Sequence, residues 1–344
     1  MITKIFRKCS VTLGLILILS GAAFSQTDKD IKTEDFRKLG QSSFKFLQVS
    51  VDARAASMAD AMTGQQANST ALFYNPASMA WMEGNISVGL GYTQWIADVN
   101  YNSGSAAFKT PLGVFGVSAL MVDYGDFYET IVDPDPANEQ GYIELGQYQP
   151  SAYAFGVGYA RALTDRFGVG AHLKYVGQDL GTTAIDYAEG DADRKNYALN
   201  TLAVDFGVFY DTGFEGLKLA MSARNFSREL TYVEDNFELP LQFRIGLSMD
   251  VMNLMANYNP EIHSLVMSID TERPRDYYEQ IKLGVEYTFL NTFSLRAGYI
   301  APHDEQGINV GLGLTSVAGF DVDYSYTDFG VFDGVSRFAV KYAF

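Results

Sequence analysis

From about residue 86 to its last residue the chain alternates between large apolar side chains and small or polar ones. That period of two fixes most of what the chain can fold into. In Ile86-Ser87-Val88-Gly89-Leu90-Gly91-Tyr92-Thr93 every second residue is large and apolar. Successive side chains of a β-strand face opposite sides, so such a segment has one greasy face and one small or polar face. The pattern returns in Leu239 to Met249, Ile281 to Phe289, Ile308 to Thr315 and Arg337 to Phe344. Fourteen segments of this kind begin near Ile86, Val99, Val114, Tyr153, Phe167, Leu202, Leu217, Leu239, Leu265, Ile281, Phe293, Ile308, Phe320 and Val335. Membrane strands need roughly 10 residues each, which leaves ample chain for turns. An even number of antiparallel strands closes with both ends on one side.

The connections alternate short and long, as in membrane barrels. Thr110 to Gly113, Leu163 to Arg166, Asp211 to Gly216 and Leu290 to Thr292 are tight, whereas Gly125 to Pro150, Gln178 to Asn196 and Asn225 to Glu238 are long. Asp250 to Ile262 falls at a predicted inner turn and is not short. A soluble β-sandwich also alternates, but it turns its large apolar residues into a core. Here that face carries Tyr and Phe near the segment ends, where interfacial girdles belong, and a closed barrel leaves no unpaired backbone in lipid. The prediction is an all-β membrane protein. Residues 86–344 form a 14-stranded antiparallel transmembrane β-barrel, and residues 26–85 form a short, partly helical N-terminal plug or hatch. Val51 to Met62 is Ala-rich with good helix propensity, and Asn75-Pro76-Ala77 breaks the chain into a turn beyond it. The aromatic end of the last segment, Phe338, Tyr342 and Phe344, reads as an outer-membrane insertion signal.

Residues 1–25 read as a secretory leader. Lys4, Arg7 and Lys8 precede the apolar run Val11 to Leu19, and Ala23-Phe24-Ser25 supplies the small residues of a cleavage site. The run is shorter than the ~20 residues of a spanning helix, so the expected destination is the cell outer membrane, reached by export. The single cysteine, Cys9, lies in this leader. The remainder is expected to lack disulfides, thiol nucleophiles and Cys-based metal sites. The formal net charge is −16, a field that repels nucleic acid. Much of it is concentrated in the two long acidic loops, 125–150 and 178–196.

Chemistry-bearing motifs are scarce. His172, His263 and His303 have no ligand spacing, and the sequence holds no metalloprotease, serine-hydrolase or P-loop signature. Gly156-Val157-Gly158 and Gly168-Val169-Gly170 imitate a dinucleotide fingerprint but fit lumen-facing glycines of alternating strands better. Asp133 to Glu139 lacks the sixth-position glycine of a calcium loop and reads as a solvated acidic segment. No cofactor, metal or catalytic residue is assigned, and the chain is expected not to be an enzyme. The charged residue that stands out is Arg54. It is expected to pair with a lumen acid such as Glu286 or Asp321, either as a structural tie or as a gate.

Gly40-Gln41-Ser42-Ser43-Phe44-Lys45-Phe46-Leu47, Asp52-Ala53-Arg54-Ala55, Met58-Ala59-Asp60-Ala61, Phe73-Tyr74-Asn75-Pro76-Ala77 and Trp95-Ile96-Ala97-Asp98 resemble the N-terminal signature of the PorV/PorQ family. Arg244-Ile245-Gly246 and Leu295-Arg296-Ala297-Gly298-Tyr299 resemble later family positions. Ala59 departs from the pattern, which usually has glycine there. The resemblance implies a FadL-like 14-stranded barrel with an N-terminal hatch, in which Arg54, Asn75, Pro76, Trp95 and Asp98 belong to the structural motif. It also implies a non-enzymatic role in type IX protein secretion. The expected partners are outer-membrane lipid, translocon and attachment subunits, and secreted cargo with a C-terminal β-domain. The resemblance covers both PorV-type and PorQ-type proteins. The alternative is a FadL-like transporter of hydrophobic small molecules.

Overall fold

The computed structural model describes residues 42–344 except 66–67, 134–137, 185–193, 232–235, 256–257, 304 and 318. The leader, and residues 26–41 of the hatch segment, therefore lie outside the described residues. Fourteen antiparallel strands close into one barrel. They are β1 Ile86–Gln94, β2 Asn100–Thr110, β3 Gly113–Asp123, β4 Ser151–Ala162, β5 Phe167–Ala184, β6 Arg194–Asp211, β7 Lys218–Ser227, β8 Gln242–Asp250, β9 His263–Pro274, β10 Gln280–Phe289, β11 Phe293–Ala301, β12 Ile308–Val317, β13 Phe320–Phe329 and β14 Phe332–Ala343. Each pairs with its neighbours in chain order. The seam between β1 and β14 runs from Ser87 opposite Ala343 to Gln94 opposite Ser336.

The barrel is apolar outside and polar inside. Leu90, Leu312 and Phe338 are 64, 57 and 53% exposed, whereas Asp270, Arg244 and Asp323 are 0, 1 and 2% exposed. This polarity suits a hydrocarbon solvent and excludes a soluble barrel, since charges are buried only when paired or hydrogen-bonded. The end that carries both barrel termini also carries the tight turns, and Asp250 to Ile262 lies there as well, with a 3₁₀ turn at Val251–Leu254. Aromatic rings stack near this end: Phe108 on Phe115 at 5.7 Å, Phe115 by Tyr159 at 5.0 Å, and Phe320 by Tyr342 at 4.6 Å. Such rings match an interfacial girdle. The long connections all leave from the opposite, loop end.

Three strand starts lie three or more residues from those the alternation gives, one of them being β14, which begins at Phe332 rather than Val335. β6 begins at Arg194 rather than Leu202, and β5 is correspondingly long, so this hairpin extends well past its neighbours. β8 begins at Gln242, not Leu239, because Pro240 has no N–H for the ladder. Leu239, 1% exposed, packs instead among Phe44, Phe46 and Leu47 in an apolar cluster at the loop end.

The described residues of 42–82 sit inside the barrel. Their elements are 3₁₀ turns at Lys45–Gln48, Ser69–Phe73 and Pro76–Trp81 and one short helix, α1, Ala53–Ser57. Asp52 caps α1 by accepting from Ala55 N at 3.1 Å. The Ala-rich run predicts a longer helix than is found. Ala59 and Asp60 adopt left-handed φ of 56° and 60°, which ends α1 and turns the chain along the wall. The polar inner face is small for a reason. Cβ atoms added to Gly89, Gly116, Gly170, Gly284, Gly298 or Gly311 would sit 2.4–2.9 Å from hatch atoms. Glycines spread over β1, β3, β5, β10, β11 and β12 thus let the hatch backbone lie directly on the wall.

Candidate functional site

Charge on the inner wall is organised around α1. Arg54 donates from Nε and Nη2 to the two oxygens of Glu286 on β10, at 2.8 and 2.7 Å. Glu286 also binds Arg296 on β11, whose Nη1 reaches Asp323 on β13 at 2.7 Å. Asp323 meets Lys341 on β14 at 3.2 Å, and Lys341 returns to Asp52, the cap of α1, at 2.8 Å. Three cations and three anions therefore alternate in a ring that starts and ends on the same hatch helix. Bidentate Arg–carboxylate pairs fix orientation as well as distance. Burial alone raises the Asp52 pKa, but the Lys341 ammonium and the Ala55 N–H outweigh it, and the carboxyl lies below the usual range. Burial also acts to depress the Arg54 pKa, and Glu286 more than reverses this.

Of the two acids named for Arg54 by the sequence, the structure places it on Glu286. Asp321 lies two residues before the ring member Asp323, on the same strand. Asn75 is fully buried. Its Nδ2 donates to Thr63 O at 3.0 Å and to Val208 O of β6 at 3.1 Å, while its Oδ1 accepts from Ala77 N at 3.1 Å. Pro76 is the first residue of the next turn, where its missing N–H costs nothing. Trp95 and Asp98 are not in the hatch. They occupy the β1–β2 connection at the loop end, where Ala97 and Asp98 both have φ of 57°. Phe338 and Phe344 are exposed on the outer face, and the main chain of Phe344 closes the seam by accepting from Ile86 N at 2.9 Å.

Ala59 carries a cost that a glycine would avoid, because an L-residue in the left-handed region loses about 1–2 kcal/mol. Ala59→Gly is expected to raise the temperature at which the barrel loses its folded mobility in detergent gels. An unchanged or lower transition would show that the Ala59 methyl, packed against Gly298 of β11, contributes more than the backbone loses.

Above the hatch, at the loop end, lies a cavity of about 580 Å³. Trp95, Tyr101, Tyr124, Tyr277 and Phe329 give it aromatic walls, and Gln242, Glu272, Lys282 and Arg337 give it a polar floor. Arg337 donates to Ser50 O at 3.0 Å and to Thr327 Oγ1 at 2.9 Å, and its guanidinium stands 5.5 Å from the Trp95 ring. Gln242, Arg244 and Lys282 all converge on Glu272. The cavity combines stacking surface with buried hydrogen-bonding groups and opens where the long loops leave.

A second cluster escaped sequence reasoning. Ser118 on β3 lies 2.9 Å from His172 Nε2 on β5, and His172 Nδ1 lies 3.3 Å from Asp205 on β6. The order is that of a hydrolase triad, yet the surroundings suit another task. Lys174 holds Asp205 at 2.8 Å, Asn225 N donates to Asp205 at 2.7 Å, and the adjoining space is about 20 Å³, room for a water but not a substrate. Asp205 and Asn225, which has φ of 62°, sit where the β6–β7 register shifts. The cluster ties this bulge together. Its members come from separate strands with no local motif, so no sequence signal announces it. Among the described residues no group of His, Cys, Asp and Glu is arranged to hold a metal ion.

Known structures share this architecture. A monoaromatic hydrocarbon channel, CymD, matches with a TM-score of 0.60 at 12% identity, over 86% of this chain and 98% of its own. The Ralstonia pickettii toluene transporter TbuX matches at 0.55 and 12% identity, over 84% and 98%. A Pseudomonas aeruginosa FadL homologue matches at 0.52 and 13% identity, over 86% and 99%. At such identities the likeness speaks of the fold alone. No curated protein matches the chain. The family model described as type IX secretion system protein PorV matches residues 32–264, well over half of the chain. The chain belongs to the PorV family and is an outer-membrane barrel of the type IX secretion system.

Proposed function

We propose that this barrel binds secreted proteins bearing a C-terminal β-domain at its loop end and hands them to the surface attachment machinery, as PorV/PorQ-like proteins are expected to do. The observation that carries this reading is the loop-end cavity of about 580 Å³, with aromatic walls and a polar floor, backed by a hatch that packs on the barrel wall. Such a recess accepts part of a polypeptide from outside. In this reading the leader is cleaved after Ser25, both barrel termini face the periplasm, and Phe338, Tyr342 and Phe344 direct insertion. The acidic loops 125–150 and 178–196, both partly outside the described residues, leave the barrel at this end. The protein works by binding, without a catalytic step or cofactor.

The second reading is a FadL-like transporter of hydrophobic small molecules, favoured by the barrel shape shared with hydrocarbon channels. It asks for an apolar pocket beside the hatch. The space there, between Leu72, Phe73 and Leu120 on one side and Lys174 and Arg224 on the other, is about 20 Å³.

Affinity capture of the tagged protein from detergent-solubilised outer membranes separates the two. Mass spectrometry is expected to find secreted proteins that share one C-terminal β-domain, or translocon subunits. A preparation free of such partners and carrying hydrophobic small molecules would favour the transporter.

A further inference from the structure

Between β3 and β4 the chain leaves the barrel wall and forms a ribbon of two antiparallel strands, Phe127–Val132 and Tyr142–Tyr148. Neither strand pairs with any other described strand. Each therefore has an outer edge whose main-chain N–H and C=O groups lie outside any ladder. A ribbon of two strands with no covered face is marginal in water, and a third strand is what usually secures it. Apart from Glu129, at 9% exposed, and the half-buried Ile131 and Tyr148, the side chains on both faces are exposed. Directly opposed residues share a face, which puts Phe127 and Ile143 on one side and Tyr128, Val132 and Tyr142 on the other. All five are 41–83% exposed.

Charge narrows what can cover them. From Gly125 to Pro150 the sequence holds Asp126, Glu129, Asp133, Asp135, Glu139 and Glu144 and no Lys or Arg. An anionic membrane surface repels such a segment, and so does the same ribbon of a second copy. A polypeptide strand carrying Lys or Arg is attracted, and attraction of this kind sets partner choice and encounter rate. One edge is also better placed than the other. Tyr148 packs so closely on Gly181 of β5 that a Cβ there would sit 2.5 Å from the ring. The returning strand is thereby held toward the wall, which leaves the Phe127–Val132 edge open.

We infer that this ribbon is an unfinished sheet, completed when an extended, Lys/Arg-bearing strand of a second protein adds to the Phe127–Val132 edge. Main-chain hydrogen bonds give such additions their affinity, and alternate side chains give them specificity. The inference deepens the cargo-binding reading and rests on it for the identity of the partner.

The test uses full-length protein in detergent and three short fluorescent peptides. One alternates valine with lysine, one has glutamate in place of lysine, and one is the lysine peptide with a central proline. Fluorescence anisotropy is expected to show binding of the first, about tenfold weaker binding of the other two, and loss of binding with added salt. Hydrogen exchange is expected to slow at the amides of 127–132 when the lysine peptide binds. The Asp126→Asn/Asp133→Asn/Glu144→Gln variant is expected to bind it about tenfold more weakly, with barrel mobility in gels unchanged. Equal binding of the proline or glutamate peptide, or unaltered exchange over 127–132, overturns the inference. Membranes that yield cargo while the ribbon amides stay unprotected sink the inference and spare the cargo reading. A ribbon that takes the lysine peptide in a protein that captures no cargo does the reverse.

Discussion

Gly170→Val is expected to drive the hatch off the barrel wall. A Cβ at residue 170 would lie 2.5 Å from both Pro76 C and Ala77 N and 2.7 Å from Ala77 Cα. These are main-chain atoms, so no rotamer change relieves the clash. The corner is also held in place, because Asn75 binds Val208 O on β6, Thr63 O and Ala77 N. Overpacking a filled interior costs about 1–3 kcal/mol, and here moving the corner surrenders those hydrogen bonds as well. The barrel ladder of β5 is untouched, so the strands should still close. The expected result is a folded barrel, judged by gel mobility, with raised conductance in planar bilayers and a hatch open to protease. Gly104→Val is the control, since a Cβ there meets only Leu90 at an ordinary 3.6 Å. Wild-type conductance and protease resistance in Gly170→Val would mean that the hatch does not depend on this contact.

Arg296→Met is expected to produce the second large effect. Arg296 joins Glu286 to Asp323 at the centre of the ring, with its side chain 2% exposed. Removing one partner from a buried charge pair costs about 3–5 kcal/mol, and without Arg296 the three acids of the ring share two cations. Glu286 would keep Arg54 and Asp323 would keep Lys341, so the ring should open rather than collapse. Arg54→Ala should cost less, because the Arg54 side chain is 25% exposed and Glu286 retains Arg296. The measurement is the temperature at which each variant loses its folded mobility. A transition for Arg296→Met at or above that of Arg54→Ala would show that Arg296 contributes no more to the ring than Arg54 does.

The alternation carried most of the fold. Because a strand facing lipid on one side and a filled lumen on the other must alternate, segments such as Ile308 to Thr315 and Ile281 to Phe289 announced both their conformation and their inward face. Where the structure departs from the pattern, a local cause is identifiable. Pro240 delays β8 although Leu239 and Leu241 keep the rhythm. The left-handed turn at Ala59 and Asp60 cuts α1 short although alanine favours helix. The partner of Arg54 was within reach because charges inside a barrel need opposite charges, but the full ring was not. Its members Glu286, Arg296, Asp323 and Lys341 sit on four strands whose register no local sequence reveals. The same holds for Ser118, His172 and Asp205. Trp95 was legible as part of a motif. Its place against Arg337 and Phe329 at the cavity mouth depends on β1 meeting β14, the most distant pairing in the chain.

That seam has a consequence for assembly. Nearest-neighbour hairpins can form as soon as their two strands exist, but β1 has no second partner until β14 arrives, and Phe344 N then donates to Ile86 O at 3.0 Å. Contacts so remote along the chain come late, since loop-closure entropy must be met first. The hatch precedes β1 in the chain and touches strands all around the wall, so it has to be enclosed before the two edges join. Closure of the barrel and capture of its plug are one event, set in time by the last strand to arrive.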